Sequence, residues 1–432
     1  MEKKSIASKF PKNFYTHNHS KIQMNNILKK IKPSRFEHDH LHEELNNFLN
    51  KLNKQLTTTN AQAIMGGSIA KNTWLKNQHD IDIFVNFDYK KYKNKSAELS
   101  NILEKQLHKL SLDFKRLHGS RDYFQIKKES YALELIPVLE IKNSSQAVNI
   151  TDVSLLHVKW VKEHLNENLA DQVRLLKYYI KNLNLYGAES YIQGFSGYVL
   201  EILIIHYKSL HNVIEHAKKW KLKEVIDTEK YYKSREELFK NLSPSKTYSP
   251  LIIIDPVQKD RNAATSLSLE KFTKFIAYAQ SFSLKQFEAK SFNLINIKKL
   301  SKQSNTDLFV LNLKTPDKKQ DVVGSKLIKL IEHIKNEIQI NDFRIYKHGW
   351  YWNKKDKALF YFLIYKDTLP KLKKHFGPPV WEHQHCTTFI DKYKDSKIHV
   401  ENSRLFVELP RKYTKAKQLI KELFKQAKNQ KI

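Results

Sequence analysis

The run Gly66-Gly67-Ser68-Ile69-Ala70-Lys71-Asn72-Thr73-Trp74-Leu75, followed by Asp80-Ile81-Asp82-Ile83-Phe84-Val85-Asn86-Phe87, decides how this chain is read. The second part alternates with period two. Ile81, Ile83, Val85 and Phe87 share one face of a strand, and Asp80, Asp82, Phe84 and Asn86 share the other. The first part is a glycine turn between a short strand at about 61–65 and a helix that Ser68 is expected to cap as it runs toward Trp74. Glycine is scarce, nine in 432 residues where ordinary usage gives roughly thirty. A Gly-Gly pair in such a chain marks backbone that a Cβ would obstruct.

Two carboxylates at i and i+2 of one strand project from one face, ~7 Å apart at Cα, and their oxygens can converge on a hard cation. A third comes from Glu134, expected on the second strand of a hairpin at 122–127 and 131–136, opposite Leu133 and Leu135, with Pro137 ending the strand. Three such carboxylates suit a pair of Mg²⁺ ions ~4 Å apart, which clamp the attacking and leaving oxygens of an in-line displacement at phosphorus. The glycine turn adds backbone N–H groups and the Ser68 hydroxyl as a nest for phosphate oxygens, and Lys71 adds a positive charge one helical turn later. No G-x-x-x-x-G-K-[ST] occurs, so this is not a Walker loop.

Around this unit the chain reads as an α+β multidomain protein. Leu41, Leu45, Phe48, Leu49, Leu52 and Leu56 have helical spacing over 41–56. From about 151 the pattern is helical, through WVKEHL, QVRLLKYYIKNL and GYVLEILIIHYKSL, and Ser243–Pro250 reads as a linker before the apolar LIIIDP. Beyond 266, helices expected at 271–282 and 325–338 alternate with strand-like LFVLNL, ALFYFLIY and RLFVEL, and a basic amphipathic helix closes the chain with Leu419, Ile420, Leu423 and Phe424 inward. The 76 Lys+Arg against 45 Asp+Glu give a formal net charge of +31, which attracts polyanions, nucleic acid above all. No apolar run approaches the ~18 residues of a membrane span, and the single cysteine, Cys386, excludes a disulfide framework. A soluble, cytoplasmic protein is expected.

The glycine turn and the Asp80–Phe84 strand, together with VRLLKYYIKNLNLYGAES (173–190), QGFSGYVLEILI (193–204) and IIDPVQKDRNAATSLSL (253–269), resemble the archaeal-type (class I) CCA-adding tRNA nucleotidyltransferases. The likeness is fainter at HFGPPV and RLFVELP. It implies a polymerase-β-like nucleotidyltransferase head with a mixed sheet (1–150), a helical neck (151–265), and an α+β body (266–305 with 386–432) and tail (306–385) that grip tRNA. The implied activity is template-independent addition of CCA to the tRNA 3′ end from CTP and ATP with two Mg²⁺ ions. The acceptor and T arms would be the parts of tRNA held, and a homodimer is possible. The family's metal carboxylates fall on Asp80, Asp82 and Glu134, and its nucleotide contacts on Ser68, Lys71, His157, Lys177 and Tyr186. Arg261 matches the arginine that helps select C or A. Two positions depart from the usual pattern. Asp80-x-Asp82 then Glu134 stands where the family has Glu-x-Asp then Asp, and Lys71 stands where it has arginine, keeping the charge without the bidentate fork.

Related polymerases that make poly(A) or oligoadenylate share such a head, and product length separates them from CCA addition. A decayed head on a tRNA-binding protein is the non-enzymatic alternative. Elsewhere, His38 and His42 stand at i, i+4 and could share a metal, although a solvated helix start suits EHDHLHEE better. Glu382-His383-Gln384-His385-Cys386 lacks a convincing fourth ligand, and Trp350 and Trp352 read as core before RNA-stacking side chains.

Overall fold

The computed structural model describes residues 17–77, 80–282, 297–316 and 318–429. His79 of the first acidic strand and 283–296 of the expected body lie outside them. The chain divides into two compact units, Met1–Asn293 and Leu294–Ile432.

The N-terminal unit is built on a five-stranded mixed sheet of order β1-β2-β5-β4-β3. Its strands are β1 (Ala61–Met65), β2 (Asp80–Phe87), β3 (Lys115–Leu117), β4 (Tyr123–Lys127) and β5 (Ala132–Leu139). Only the central β2–β5 pair is parallel; its neighbours are antiparallel. The apolar face of β2 (Ile81, Ile83, Val85, Phe87) packs on helices Arg35–Leu56 and Leu99–Lys109 through Leu45, Leu49, Leu52, Leu56, Leu99, Leu103 and Leu107. On the other face Phe84 packs with Val138 and with Val158 of helix Ser154–His164, so the acidic face of β2 lies against the neck.

The helical layer that follows comprises Ser154–His164, Glu167–Asn182, Gly197–Tyr207 and Leu210–Ala217. Gly197–Tyr207 is buried along Val199–Ile205, which explains its nearly unbroken apolar sequence. A three-stranded sheet, β6 (Glu224–Ile226), β7 (Leu251–Asp255) and β8 (Gln258–Asn262), completes the unit, with β7 central and buried at every residue. The expected linker at Ser243–Pro250 carries a short helix, Pro244–Thr247.

The C-terminal unit holds two further sheets. In one, β9 (Thr306–Lys314), β10 (Ile345–Trp352) and β11 (Lys357–Tyr365) run in the order β10-β11-β9. In the other, β12 (Leu372–Pro379), β13 (Ile398–Glu401) and β14 (Arg404–Pro410) run in the order β12-β14-β13. Helix Gln320–Ile340 buries Val323, Leu327, Leu330, Ile331, Ile334 and Ile338, and helix Ala416–Asn429 buries Leu419, Ile420 and Leu423. Among the described residues no helix is long and apolar enough to cross a membrane.

Four details differ from the sequence reading. Gly66, not Ser68, is the N-cap, and the helix after the turn stops at Ala70 because Asn72 takes a positive φ of 50°. Pro137 does not end β5: pairing with β4 stops at Leu135, so the missing N–H removes no bond to that neighbour, and the Pro137 carbonyl accepts from Arg121 at 3.0 Å. The expected tail–body boundary at 385/386 falls inside helix His383–Lys392, and β12 on one side of it pairs with β14 on the other. Residues 266–282, expected with the body, belong to the N-terminal unit.

Candidate active site

The glycine turn is laid directly on the polar face of β2. The Gly66 N–H donates to the Asp82 carbonyl at 2.8 Å. Gly67 has φ +54°, and a Cβ added there would meet Asp82 Oδ2 at 1.8 Å; one on Gly66 would meet the Phe84 ring at 2.2 Å. Only glycine permits this approach. Ser68, half-buried, is the second residue of the short helix that Gly67 opens.

Asp82 stands in register with Glu134 on the adjacent parallel strand, and Gln125 of β4 donates Nε2–H to Glu134 Oε1 at 3.2 Å. Asp80 is exposed, and Asp82 and Glu134 are half-buried. Burial pushes the Asp82 carboxyl above its ordinary range; Lys71 and Lys177 pull it down and Asp80 pushes it up. Tyr123 is pushed up to about 12, by burial first and then by the charges of Glu134, Asp80 and Asp82. The three carboxylates thus act on one place beside β4. Among the described residues no group of three His, Cys, Asp or Glu side chains is placed to hold a metal ion; Asp82 and Glu134 are register partners, and Asp80 lies opposite Ala132.

Beside them lies a buried basic cluster. Glu201, fully buried on helix Gly197–Tyr207, accepts from Lys71 Nζ at 2.6 Å, Thr73 Oγ1 at 2.7 Å and Lys177 Nζ at 3.2 Å. Lys177 also donates to Thr73 Oγ1 at 3.0 Å and to the Thr73 carbonyl at 3.2 Å. Burial opposes the Glu201 charge, yet the two ammonium groups hold it at about 2. Burial brings Lys177 down to about 8, with Glu201 working to raise it and Lys71 to lower it. The hydroxyl of Tyr186 lies 3.0 Å from where a Gly197 Cβ would sit, near Lys177 Nζ, and the Lys181 ammonium stands 4.7 Å from the Tyr186 ring centroid. Burial, then Glu201, Glu189 and Asp82, push the Tyr186 hydroxyl up.

A second buried carboxylate, Asp255, gathers the remaining expected residues. His157 donates Nε2–H to Asp255 Oδ2 at 3.0 Å, and Arg261 donates to the same oxygen. Burial works against ionisation, but the His157 hydrogen bond and the His157 and Arg261 charges hold Asp255 below the usual carboxylate range. The structure therefore gathers the expected residues into three adjoining groups: the acids with the Gly66–Ser68 turn, Lys71 and Lys177 with Tyr186 around Glu201, and His157 with Arg261 around Asp255. Sequence reasoning missed Glu201, Asp255, Thr73, Tyr198 and Tyr123. Glu201 interrupts YVLEILII and Asp255 closes LIIID, and a lone carboxylate inside an apolar run is the signal that points to each.

The other candidates have partners of their own. The His38 and His42 rings stack at 4.2 Å on helix Arg35–Leu56, and Cys386 Sγ donates to the Pro379 carbonyl at 3.3 Å. Trp352 is buried with Nε1–H on Thr315 Oγ1 at 3.1 Å, and Trp350 is half-buried.

Three family models match the chain: a nucleotidyltransferase domain over 43–149, the second domain of tRNA nucleotidyltransferase over 171–293, and the C-terminal domain of CCA-adding enzyme over 304–430. The chain is 36% identical over 342 residues to the CCA-adding enzyme of Nanoarchaeum equitans, covering 79% of this chain and 82% of that one. It is 32% identical over 371 residues to that of Methanosarcina barkeri, covering 83% and 78%, and 30% identical over 413 residues to that of Methanosarcina mazei, covering 92% and 87%. Ser68, Lys71, Asp80, Asp82 and Glu134 lie in the first matched segment, and Lys177, Tyr186, Glu201, Asp255 and Arg261 in the second.

Proposed function

The chain belongs to the CCA-adding enzymes, tRNA nucleotidyltransferases, and on that premise we propose that its reaction takes place between the glycine turn and the two buried carboxylate clusters. The activity is template-independent addition of CCA to the 3′ end of tRNA from CTP and ATP. In our reading the nucleotide's triphosphate lies against the Ser68 turn, with Lys71, Lys177, His157 and Tyr186 around it. Two lysines paired with one buried carboxylate leave a net positive charge for the triphosphate to meet. Arg261 contributes to the choice between C and A.

Asp80, Asp82 and Glu134 suit hard divalent cations. All three offer carboxylate oxygens, two stand in register on adjacent strands, and glycine at 67 lets the turn approach the Asp82 carboxylate without a clash. Two Mg²⁺ ions held there would supply positive charge to the reacting phosphoryl and hydroxyl oxygens. The tRNA 3′-hydroxyl releases its proton to solvent as its oxygen forms the new bond to the α-phosphorus, and the bond to pyrophosphate breaks in line with it.

Residues 1–150 act as catalytic head and 151–265 as nucleotide-selecting neck in this reading, and the C-terminal unit holds the acceptor and T arms by phosphates and 2′-hydroxyls. A cytoplasmic setting and a homodimer are part of the same proposal. The observation that carries it is the Gly67 turn closing over Asp82 in register with Glu134. The test is tRNA lacking CCA, incubated with labelled CTP and ATP and Mg²⁺. Wild type is expected to add three nucleotides and Asp82→Ala essentially none. Absence of incorporation by wild type overturns the reaction, and activity surviving in Asp82→Ala overturns the assignment of the acids.

A further inference from the structure

Asp255 joins four separate elements of the N-terminal unit. It ends β7, whose preceding residues Leu251–Ile254 are apolar and buried, and it is itself 0% exposed. Oδ1 accepts from the Tyr198 hydroxyl at 3.1 Å and from the Val257 N–H at 3.0 Å; Oδ2 accepts from His157 Nε2 at 3.0 Å and from the Arg261 guanidinium. Those partners come from helix Ser154–His164, helix Gly197–Tyr207, the β7–β8 turn and β8. The His157 and Tyr198 rings lie 4.2 Å apart, and the Lys71 ammonium stands 5.9 Å from the Tyr198 ring centroid while bonded to Glu201. One carboxylate therefore connects the triphosphate side of the site, through Tyr198 and His157, to Arg261.

Burying an ionised carboxylate is costly unless every lone pair is used. Stability alone would be served as well by an apolar residue continuing the β7 core. What the carboxylate adds is orientation. Arg261 retains 28% side-chain exposure, and Asp255 holds its Nη1, one of the nitrogens of a planar fork with five donors. We propose that Asp255 is a specificity-determining positioning residue: by fixing the Arg261 guanidinium against His157 and Tyr198 it makes that donor fork discriminate between bases. This rests on the reading of Arg261 given above.

The chemistry of the bases gives the discrimination its sign. Cytosine at N3 and adenine at N1 present an acceptor at the centre of the pairing edge, whereas uracil at N3 and guanine at N1 present an N–H there. A donor fork held in one orientation bonds to the first pair and opposes a donor on the second. A fork free to swing escapes that opposition, so the wrong bases gain relative to the right ones.

The experiment measures kcat/KM for CTP and UTP on tRNA lacking CCA, for wild type, Asp255→Asn, Arg261→Ala and the double variant, each checked for a cooperative thermal transition. Asp255→Asn is expected to lower the CTP-over-UTP ratio at least tenfold, and to lower it no further in the Arg261→Ala background. Asp255→Glu, which keeps the charge but shifts it by one methylene, is the second variant if Asp255→Asn does not fold, and it too should lower the ratio. A merely structural Asp255 would slow both nucleotides alike and leave the ratio within twofold of wild type, which overturns the proposal. If Arg261→Ala itself leaves the ratio intact, the fault lies in the role given to Arg261, and the proposal falls with it.

Discussion

Gly67→Ala tests the geometry of the site at its tightest point. An alanine at φ +54° costs about 1–2 kcal/mol of backbone strain. Its Cβ would sit 1.8 Å from Asp82 Oδ2 and 2.8 Å from Asp82 Cγ, where real contacts stay beyond 3.0 Å, so the carboxylate must retreat by about 1.2 Å or the turn must lift off the strand. The strain falls on a four-residue helix at the end of β1 that gives only Ile69 to the leucine-rich core, so the thermal midpoint should fall by about 2–8 °C. A displacement of ~1 Å at reacting groups costs on the order of 100-fold in rate. The assay pairs a thermal melt with the single-turnover rate of CMP addition to tRNA lacking CCA at saturating CTP and Mg²⁺. A folded Gly67→Ala protein with a rate within threefold of wild type would refute the claim that the turn and Asp82 form one site.

Four other outcomes follow from the charges. Glu201→Gln removes the carboxylate that raises Lys177, so the ammonium, already near 8, loses its proton at lower pH; the KM for CTP should be about tenfold higher than wild type at pH 8 and approach it as pH falls to 6, in a pH series of initial rates. In the wild type the folded Glu201 carboxyl lies near 2 against an ordinary 4.5, so its contribution to stability is complete above pH 4.5 and is lost as pH falls toward 2, which acid unfolding of wild type against Glu201→Gln should show. Asp152→Ala strands the buried Arg121 guanidinium, which Asp152 meets at 2.5 Å, and should cost about 3–5 kcal/mol in urea unfolding. Residues 294–432 carry 30 Lys+Arg against 14 Asp+Glu, a net +16, so tRNA affinity should fall steeply with salt, and a flat log–log plot from filter binding contradicts an electrostatic grip by this unit.

The parts of this site legible in the sequence are those set by local periodicity. The alternation of β2 placed Asp80 and Asp82 on one face, and Leu133-Glu134-Leu135 did the same for the third acid, because strand faces follow from residue parity alone. The helix expected over 41–56 starts six residues earlier, at Arg35, where Ser34 and Glu37 form a capping box that the leucine spacing does not mark. What sequence could not supply is partnership across distance. Lys71 and Lys177 are 106 positions apart and meet only through Glu201, whose charge gave the single hint that its helix faces polar company. Arg261 and His157 likewise converge because β7 delivers Asp255 between them. The short helix after Gly67 and the continuation of β5 through Pro137 depend on neighbours, an αL Asn72 in one case and an unpaired strand flank in the other, that local patterning does not reveal.

The central claim is that Asp80, Asp82 and Glu134 together form a divalent-cation site beneath the glycine turn. Titration of Mn²⁺ into the full chain, followed by the loss of the free-ion EPR signal, addresses it without reference to turnover. Wild type with CTP should bind Mn²⁺ saturably, and Asp82→Asn and Glu134→Gln, each still folded by melting, should each weaken that binding at least tenfold. Binding unchanged in both variants would contradict the account.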